Sequence, residues 1–262
     1  MRQDSPEYFH ARLKEIIAGK REGFPPDHNL SEAINPLSLE EVFPHGYVSS
    51  HSGVEYLHLE MPLDQFTEGE QELSQIEVLF QELENLKKFP KEHLLFLDLE
   101  TCGLNSAPIF LFGAITLDKS PRLVQGLARD YTEETALLHY INDLLQNYPL
   151  LVTFNGKTYD LPFIKQRCIR YRMPPPQVSQ HIDLLQLARQ RFPRGLLPNR
   201  RLVTLERFLL DKPRIGDVPS QLIPALYHQF VKSGDSRLLS RVVRHNSYDV
   251  LSMLQLFVLL NS

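Results

Sequence analysis

Five residues carry most of the chemistry this 262-residue chain offers: Asp98, Glu100, Asp160, His245 and Asp249. Asp98 and Glu100 lie two apart in LLFLDLETCGL (residues 94–104), at the end of an apolar run that reads as a buried strand. Side chains at i and i+2 of a strand share a face, so both acids project from one side of a sheet. Two like charges interrupting an apolar face are costly without a partner. Asp160 follows the turn of FNGKTYD, and Asp249 lies in RHNSYDVLSM, a helical pattern with His245 one turn earlier on the same face. Carboxylates grouped in this way repel one another unless cations compensate, and oxygen donors without thiolates suit Mg2+ or Mn2+ rather than zinc. Plainer readings stand beside this one: Asp160 serves equally as the N-cap of LPFIKQRCIRYR, and a helical His or Asp is commonly a surface residue. Spacing alone does not bring the four acids together.

The elements that must position these residues follow from the apolar pattern. Strands are expected at residues 94–99, 109–117 and 123–128, joined by the turn-rich GLNSAP and DKSP. A helix is expected over 132–148 with Thr132 as its N-cap, then a buried strand at 150–156 and a helix at 161–171 stopped by Pro174, Pro175 and Pro176. Two short helices, 184–191 and 204–210, precede a long one over 237–260, and Asp183 reads as the N-cap of the first of these. Three antiparallel strands, a helix, a parallel strand and further helices describe an α/β fold, a mixed sheet flanked by helices. Ahead of it, residues 1–90 read as an acidic N-terminal extension. It holds a helix at 6–18, a hairpin at 46–61 around His51-Ser52-Gly53, and an amphipathic linking helix marked by Leu73, Ile76, Leu79, Phe80, Leu83 and Leu86. The main domain is then 91–262.

Composition narrows the class. An apolar fraction of 42% with 12 Gly is that of an ordinary globular protein. No apolar run approaches the ~18 residues of a membrane span, and MRQDSPEYFH lacks a signal-type apolar segment, so the expected address is cytoplasmic. The two cysteines, Cys102 and Cys168, are too few for a disulfide scaffold and lack zinc spacing. The net charge of −4 hides a segregation. Residues 1–100 hold 8 Lys and Arg against 20 Asp and Glu, whereas residues 161–214 hold 12 against 3. That basic segment, with Arg167, Arg170, Arg172, Arg189, Arg191, Arg194, Arg200 and Arg201, is what a phosphate backbone would want, and equally what a solvated surface carries.

Three runs together resemble a known family. FLDLETCGL is similar to the first motif of the DEDD exonuclease superfamily, in which an Asp-x-Glu leaves the first strand of a ribonuclease-H-like sheet. TFNGKTYDLPFI resembles its second motif in the Asn-x-x-x-aromatic-Asp form of family B DNA polymerase proofreading domains. RHNSYDVLSM resembles the third. Within that superfamily the likeness is nearest to YprB-type ribonuclease-H-like proteins, through HIDLLQLARQRF, RRLVTLERFLL and GDVPSQLIPALYHQFVKSGD, and it covers most of residues 94–260. One departure stands out. The family places either His five residues before the final Asp or Tyr four residues before it, and here His245 takes the four-residue spacing.

The resemblance implies a metal-dependent 3′-to-5′ exonuclease acting on DNA or RNA with two divalent cations, Mg2+ or Mn2+, and releasing nucleoside 5′-monophosphates. Asp98, Glu100, Asp160 and Asp249 would be the metal ligands, and His245 the general base. Thr101, Leu104, Asn155, Lys157 and Tyr159 would meet the substrate; Asn155 equally suits the shaping of the strand-to-helix turn, and Lys157 a solvated turn position. A ribonuclease-H-like endonuclease, and a nucleic-acid-binding protein without catalysis, stand as the alternatives.

Overall fold

The computed structural model describes residues 36–65, 78–79, 81–86, 88–104, 106–214 and 216–261. Its centre is a seven-stranded sheet in the order β1-β2-β5-β4-β3-β6-β7. The strands β1 (Tyr47–His51) and β2 (Val54–Pro62) form a hairpin whose turn, Ser52-Gly53, has φ of 51° and 80°. Positive φ at both turn residues matches the twist of the flanking strands, and Gly adopts it without a Cβ penalty. β2 pairs antiparallel with β5 (Arg122–Leu127), β5 with β4 (Ile109–Thr116), and β4 with β3 (Leu94–Thr101). β6 (Leu150–Thr153) then joins β3 in parallel, and β7 (Gln180–Asp183) joins β6 in parallel. The hairpin expected in the N-terminal extension is thus part of the sheet, within one compact unit spanning Pro36–Ser262.

Two helices cover opposite faces. The helix α1 (Glu134–Asn147) packs on β1, β2 and β4, and buries Leu137, Leu138, Ile141 and Leu144. On that side a Cβ at Gly126 would meet Phe112 and Leu137. The next residue of β4, Gly113, points the other way, where the long C-terminal helix lies against β3 and β4. After α1 come α2 (Asp160–Arg170), α3 (Leu184–Arg191), α4 (Leu202–Leu205), α5 (Ile223–Ser233) and the C-terminal α6 (Arg237–Asn261), and a single helical turn, Leu39–Val42, precedes β1. A five-residue π-helical segment, Glu206–Leu210, continues α4.

Asp98, Gly113 and Gln125 stand side by side across β3, β4 and β5, so they share the α6 face. Asn246 of α6 seats directly over Gly113. Its Nδ2 donates to Asp98 Oδ2 at 2.9 Å, and its Oδ1 accepts from Gln125 Nε2 at 2.8 Å. A glycine is needed at 113 because any Cβ would lie in the Asn246 side chain.

The strand and helix pattern agrees with the sequence reading, with specific corrections. Thr132 does not cap α1: its N–H and hydroxyl both donate to Asp130 Oδ1, at 2.7 and 2.6 Å, because a carboxylate two residues back closes an Asx-type turn. Glu133 takes the cap position. β7 and α5 were not anticipated, since β7 has only four residues and the apolar positions of α5 follow two prolines. Of the expected linking helix, Leu79 and Leu83 are buried, while Leu73, Ile76 and Phe80, like the helix at 6–18, lie outside the described residues.

Gly113→Ala brings a Cβ to 2.0 Å from Asn246 Oδ1, so α6 must shift. The expected cost is about 1–3 kcal/mol, the usual range for overpacking, read as a lower urea midpoint. An unchanged midpoint would mean that α6 does not depend on this contact.

Candidate active site

The first strand delivers two acids to the α6 face. Asp98 and Glu100 pair with Gly113 and Leu111 of β4, and the register shifts between Glu100 and Thr101, where a bulge ends the regular ladder. Bulges re-aim side chains at strand ends, which directs Glu100 out of the sheet plane towards α6. From α6, His245 and Asp249 face the same place, one turn apart. His245 Nε2 lies 3.5 Å from Asp249 Oδ2 and 3.9 Å from Glu100 Oε1. Glu100, His245 and Asp249 each offer a ligand atom, and these atoms lie within 4.8 Å of one another.

Asp160 is the first residue of α2, in the crossover that follows the parallel strand β6. Its preceding turn is stapled by Asp183 of β7, whose Oδ1 accepts from Asn155 N at 2.9 Å and from Leu185 N at 3.0 Å, and whose Oδ2 accepts from Lys157 N at 3.2 Å. Asp183 is therefore the N-cap of α3, as expected, and also the anchor of the turn. Asn155 sits at φ 65°, a left-handed conformation that Asn tolerates. Gly156 is required by packing: a Cβ there would fall 2.3 Å from Thr153 Oγ1 and 2.8 Å from Asp160 Oδ2.

The four acids act on one another electrostatically. Burial, then the charges of Asp249, Glu100 and Asp160, hold the Asp98 carboxyl well above its usual range, against the Asn246 hydrogen bond. Burial pushes Glu100 up to about 8; His245 pulls it down, while Asp249 and Asp160 push it further. Burial raises Asp160 to about 7, with Asp183 and Asp249 adding to the shift and the backbone of Asp160 and Leu99 opposing it. Burial drives the His245 imidazole down, but its bond to Asp217 and the charges of Asp249 and Glu100 override this, and the net shift is upward. The hard carboxylate oxygens of these part-buried acids form a donor set that fits divalent cations such as Mg2+ or Mn2+, with the imidazole beside it.

Three further charged residues lie behind the acids. Arg214 donates to Asp249 Oδ1, to both oxygens of Glu206 and to Asp217 Oδ2, the last at 2.9 Å. Asp217 Oδ2 also meets His245 Nδ1 at 2.8 Å. Burial opposes ionisation of Asp217, yet His245 and Arg214 together hold its carboxyl below the usual range. None of Glu206, Arg214, Asp217 and Asn246 was singled out from sequence, although all but Arg214 lie in runs that carry the family resemblance.

The expected substrate-contact residues divide. Leu104, at 76% exposed, and Tyr159, at 54%, are open to solvent. Thr101 turns its hydroxyl to Gly103 O at 2.8 Å. Lys157 Nζ meets Gln186 Oε1 at 3.2 Å on the exposed side of the turn. Tyr248 lies against Arg214 and Arg244, away from the position His245 occupies. The basic segment needs correction. Arg167 is buried against Glu134, which accepts from its Nε at 2.6 Å, and its Nη1 donates to Ser106 O at 2.5 Å. A guanidinium without solvent must find carboxylate and carbonyl partners, and Arg167 uses them to hold the loop after β3. Arg200 is spent on Phe192 O at 2.7 Å, whereas Arg170, Arg172, Arg189, Arg191, Arg194 and Arg201 are exposed.

The RNase H superfamily profile matches residues 95–261. The chain belongs to the RNase H superfamily. It is 35% identical over 179 residues to the "Uncharacterized protein YprB" of Bacillus subtilis (strain 168), a match that takes in 66% of this chain and 43% of that protein. The chain therefore spans less than half the length of this curated relative. Among solved structures it is similar to the family B DNA polymerase of the archaeon Pyrobaculum calidifontis, with a TM-score of 0.52 and 16% identity over 64% of this chain and 24% of the polymerase. That likeness is one of fold. The RNase H-like fold supports a nuclease-type function, and no helix among the described residues is long and apolar enough to cross a membrane.

Glu100 titrates at about 8 in the folded chain against 4.5 unfolded, so the folded state binds more protons between those values. Stability of the metal-free protein accordingly falls as pH rises from about 4.5 through about 8. Glu100→Gln removes this penalty, and its melting temperature should exceed that of wild type at about pH 8 but much less at about pH 5, by about 2–4 °C for each kcal/mol relieved. Equal melting temperatures at the higher pH would contradict the crowding.

Proposed function

We propose that this chain is a metal-dependent 3′-to-5′ exonuclease of the DEDD type, hydrolysing DNA or RNA to nucleoside 5′-monophosphates. The observation that carries this reading is that Asp98 carries the repulsion of Glu100, Asp160 and Asp249 at the end of β3, with the His245 imidazole beside Glu100 and Asp249. Asp98, Glu100, Asp160 and Asp249 would hold two Mg2+ or Mn2+ ions, which supply a water of lowered pKa and neutralise charge on the leaving 3′ oxygen.

The protein's own groups do the rest. His245 accepts the water's proton at Nε2, the ring nitrogen that faces Glu100 and Asp249. It takes the place that Tyr holds at this spacing in one branch of the family. Asn155 and Tyr159, on the turn before Asp160, position the terminal nucleotide. Leu104, exposed just past the first acids, lies against a base, with Thr101 shaping the turn beneath it. Lys157 and the exposed arginines of 170–201 meet backbone phosphates, an electrostatic contribution weakened by salt. Cys102 and Cys168 are both free, which fits a reducing, cytoplasmic setting.

With Mn2+ and a 5′-labelled single strand, the wild-type chain should shorten the strand one nucleotide at a time from its 3′ end. Asp98→Asn should lower the rate by about three orders of magnitude or more, the several kcal/mol that metal ligation supplies, while still retarding the strand on a gel. Full activity in this variant would refute the site. A covalently closed circle should resist, and cleavage of the circle would replace the exonuclease reading with an endonuclease. His245→Ala should cost about 10²–10⁴-fold in kcat, the usual worth of a positioned base.

A further inference from the structure

Glu206, Arg214 and Asp217 come from TLERFLL, DKPRIGD and GDVPSQ, and the mechanism above gives them no task. Glu206 is 1% exposed, in the π-helical segment. Single-turn π segments inside helices frequently occur at functional sites. Arg214 commits four of its five N–H groups to carboxylates: Nε and Nη2 take both oxygens of Glu206, Nη2 also takes Asp249 Oδ1, and Nη1 takes Asp217 Oδ2. Its side chain is 9% exposed.

Asp217 is equally committed. Oδ1 accepts from Val218 N at 2.8 Å, and Oδ2 lies 2.8 Å from His245 Nδ1. A carboxylate only accepts, so Nδ1 must carry a proton. Arg214 Nη1 is 3.4 Å from the same Nδ1, outside the usual hydrogen-bond range, and does not compete for it. The neutral ring therefore keeps its lone pair on Nε2, whose neighbours are Asp249 Oδ2, Glu100 Oε1 and, at 3.5 Å, Ser220 Oγ. With Oδ1 of Asp249 held by Arg214, only Oδ2 is presented to the site.

We propose that Glu206, Arg214 and Asp217 are positioning residues: Asp217 sets the tautomer and orientation of His245, and Arg214, braced by Glu206, restricts Asp249 to one free oxygen. This rests on the reading of His245 as the base, but the geometry it asserts is measurable without catalysis. Carboxylate partners that orient a reactive or ligating imidazole commonly contribute 10–100-fold in affinity or rate.

Removing Asp217 leaves the guanidinium of Arg214 as the nearest group to Nδ1. A donor facing Nδ1 favours the opposite tautomer, with the proton on Nε2. In metal-free protein labelled with 15N-histidine, at a pH above which the ring 15N shifts no longer move and the imidazole is neutral, two-dimensional spectra report the tautomer directly. His245 is assigned by its absence in His245→Gln. Wild type should show Nδ1–H, and Asp217→Ala should show Nε2–H, with hydrolysis reduced about 10–100-fold. Should Asp217→Ala fail to fold, Asp217→Asn serves: Val218 N–H keeps the amide oxygen, and the amide nitrogen faces the ring and drives the same change. Nε2–H in wild type, or Nδ1–H retained in the variant, would overturn the role of Asp217. A switched tautomer with undiminished hydrolysis would support the positioning but remove His245 as the base. Arg214→Lys keeps the charge without the planar fork and should weaken Mn2+ binding, followed by electron paramagnetic resonance, about 10–100-fold. Unchanged affinity there would overturn the role of Arg214.

Discussion

Four part-buried carboxylates repel one another at the end of β3, and their surroundings are arranged around that repulsion. Buried like charges cannot all ionise unless something positive or strongly polar faces them. Here Asn246 donates to Asp98, the imidazole of His245 lies between Glu100 and Asp249, and Arg214 takes one oxygen of Asp249. The compensation is incomplete, since Asp98, Glu100 and Asp160 all remain pushed upward. An apolar core would not tolerate such a group without purpose, and divalent cations are the species that complete the balance.

Backbone choices make the crowding possible. Gly113 lets α6 approach the sheet until Asn246 reaches Asp98 and Gln125 together. Gly156 lets the turn before α2 close over Thr153 and Asp160. Asp183 accepts from two backbone N–H groups of that turn and one of α3, so one buried side chain ties β7, the turn and α3 together. Each of these is a small residue or a cap whose effect is to place a carboxylate, and each link runs between elements distant in sequence.

The strands and helices were legible because apolar spacing reports which face is buried, and β4 and β6 carry nearly unbroken apolar runs. The acids were legible for a related reason: Asp98 and Glu100 break such a run, and the three motifs occur in order. What sequence does not carry is partner choice across the fold. Arg167 and Arg201 look alike in a basic stretch, but the first is buried against Glu134 and the second faces solvent. Thr132 has the chemistry of an N-cap, and Asp130 engages it first. Asp217 stood in plain view in GDVPSQ, and only the packing of its loop against α6 shows that it meets His245. The hairpin was visible too, but its pairing with β5 depends on a register some 70 residues apart, as between Leu57 and Leu127.

As proposed above, this crowded group of acids would be a two-ion site for phosphodiester hydrolysis. Anomalous scattering from a crystal soaked with Mn2+ and a nucleoside 5′-monophosphate tests it most directly. The predicted result is two Mn2+ peaks about 3.5–4 Å apart, ligated by Asp98, Glu100, Asp160 and Asp249, with the nucleotide phosphate between the ions and His245. Nucleotide bound elsewhere, or acids that remain without ions at saturating Mn2+, would contradict it.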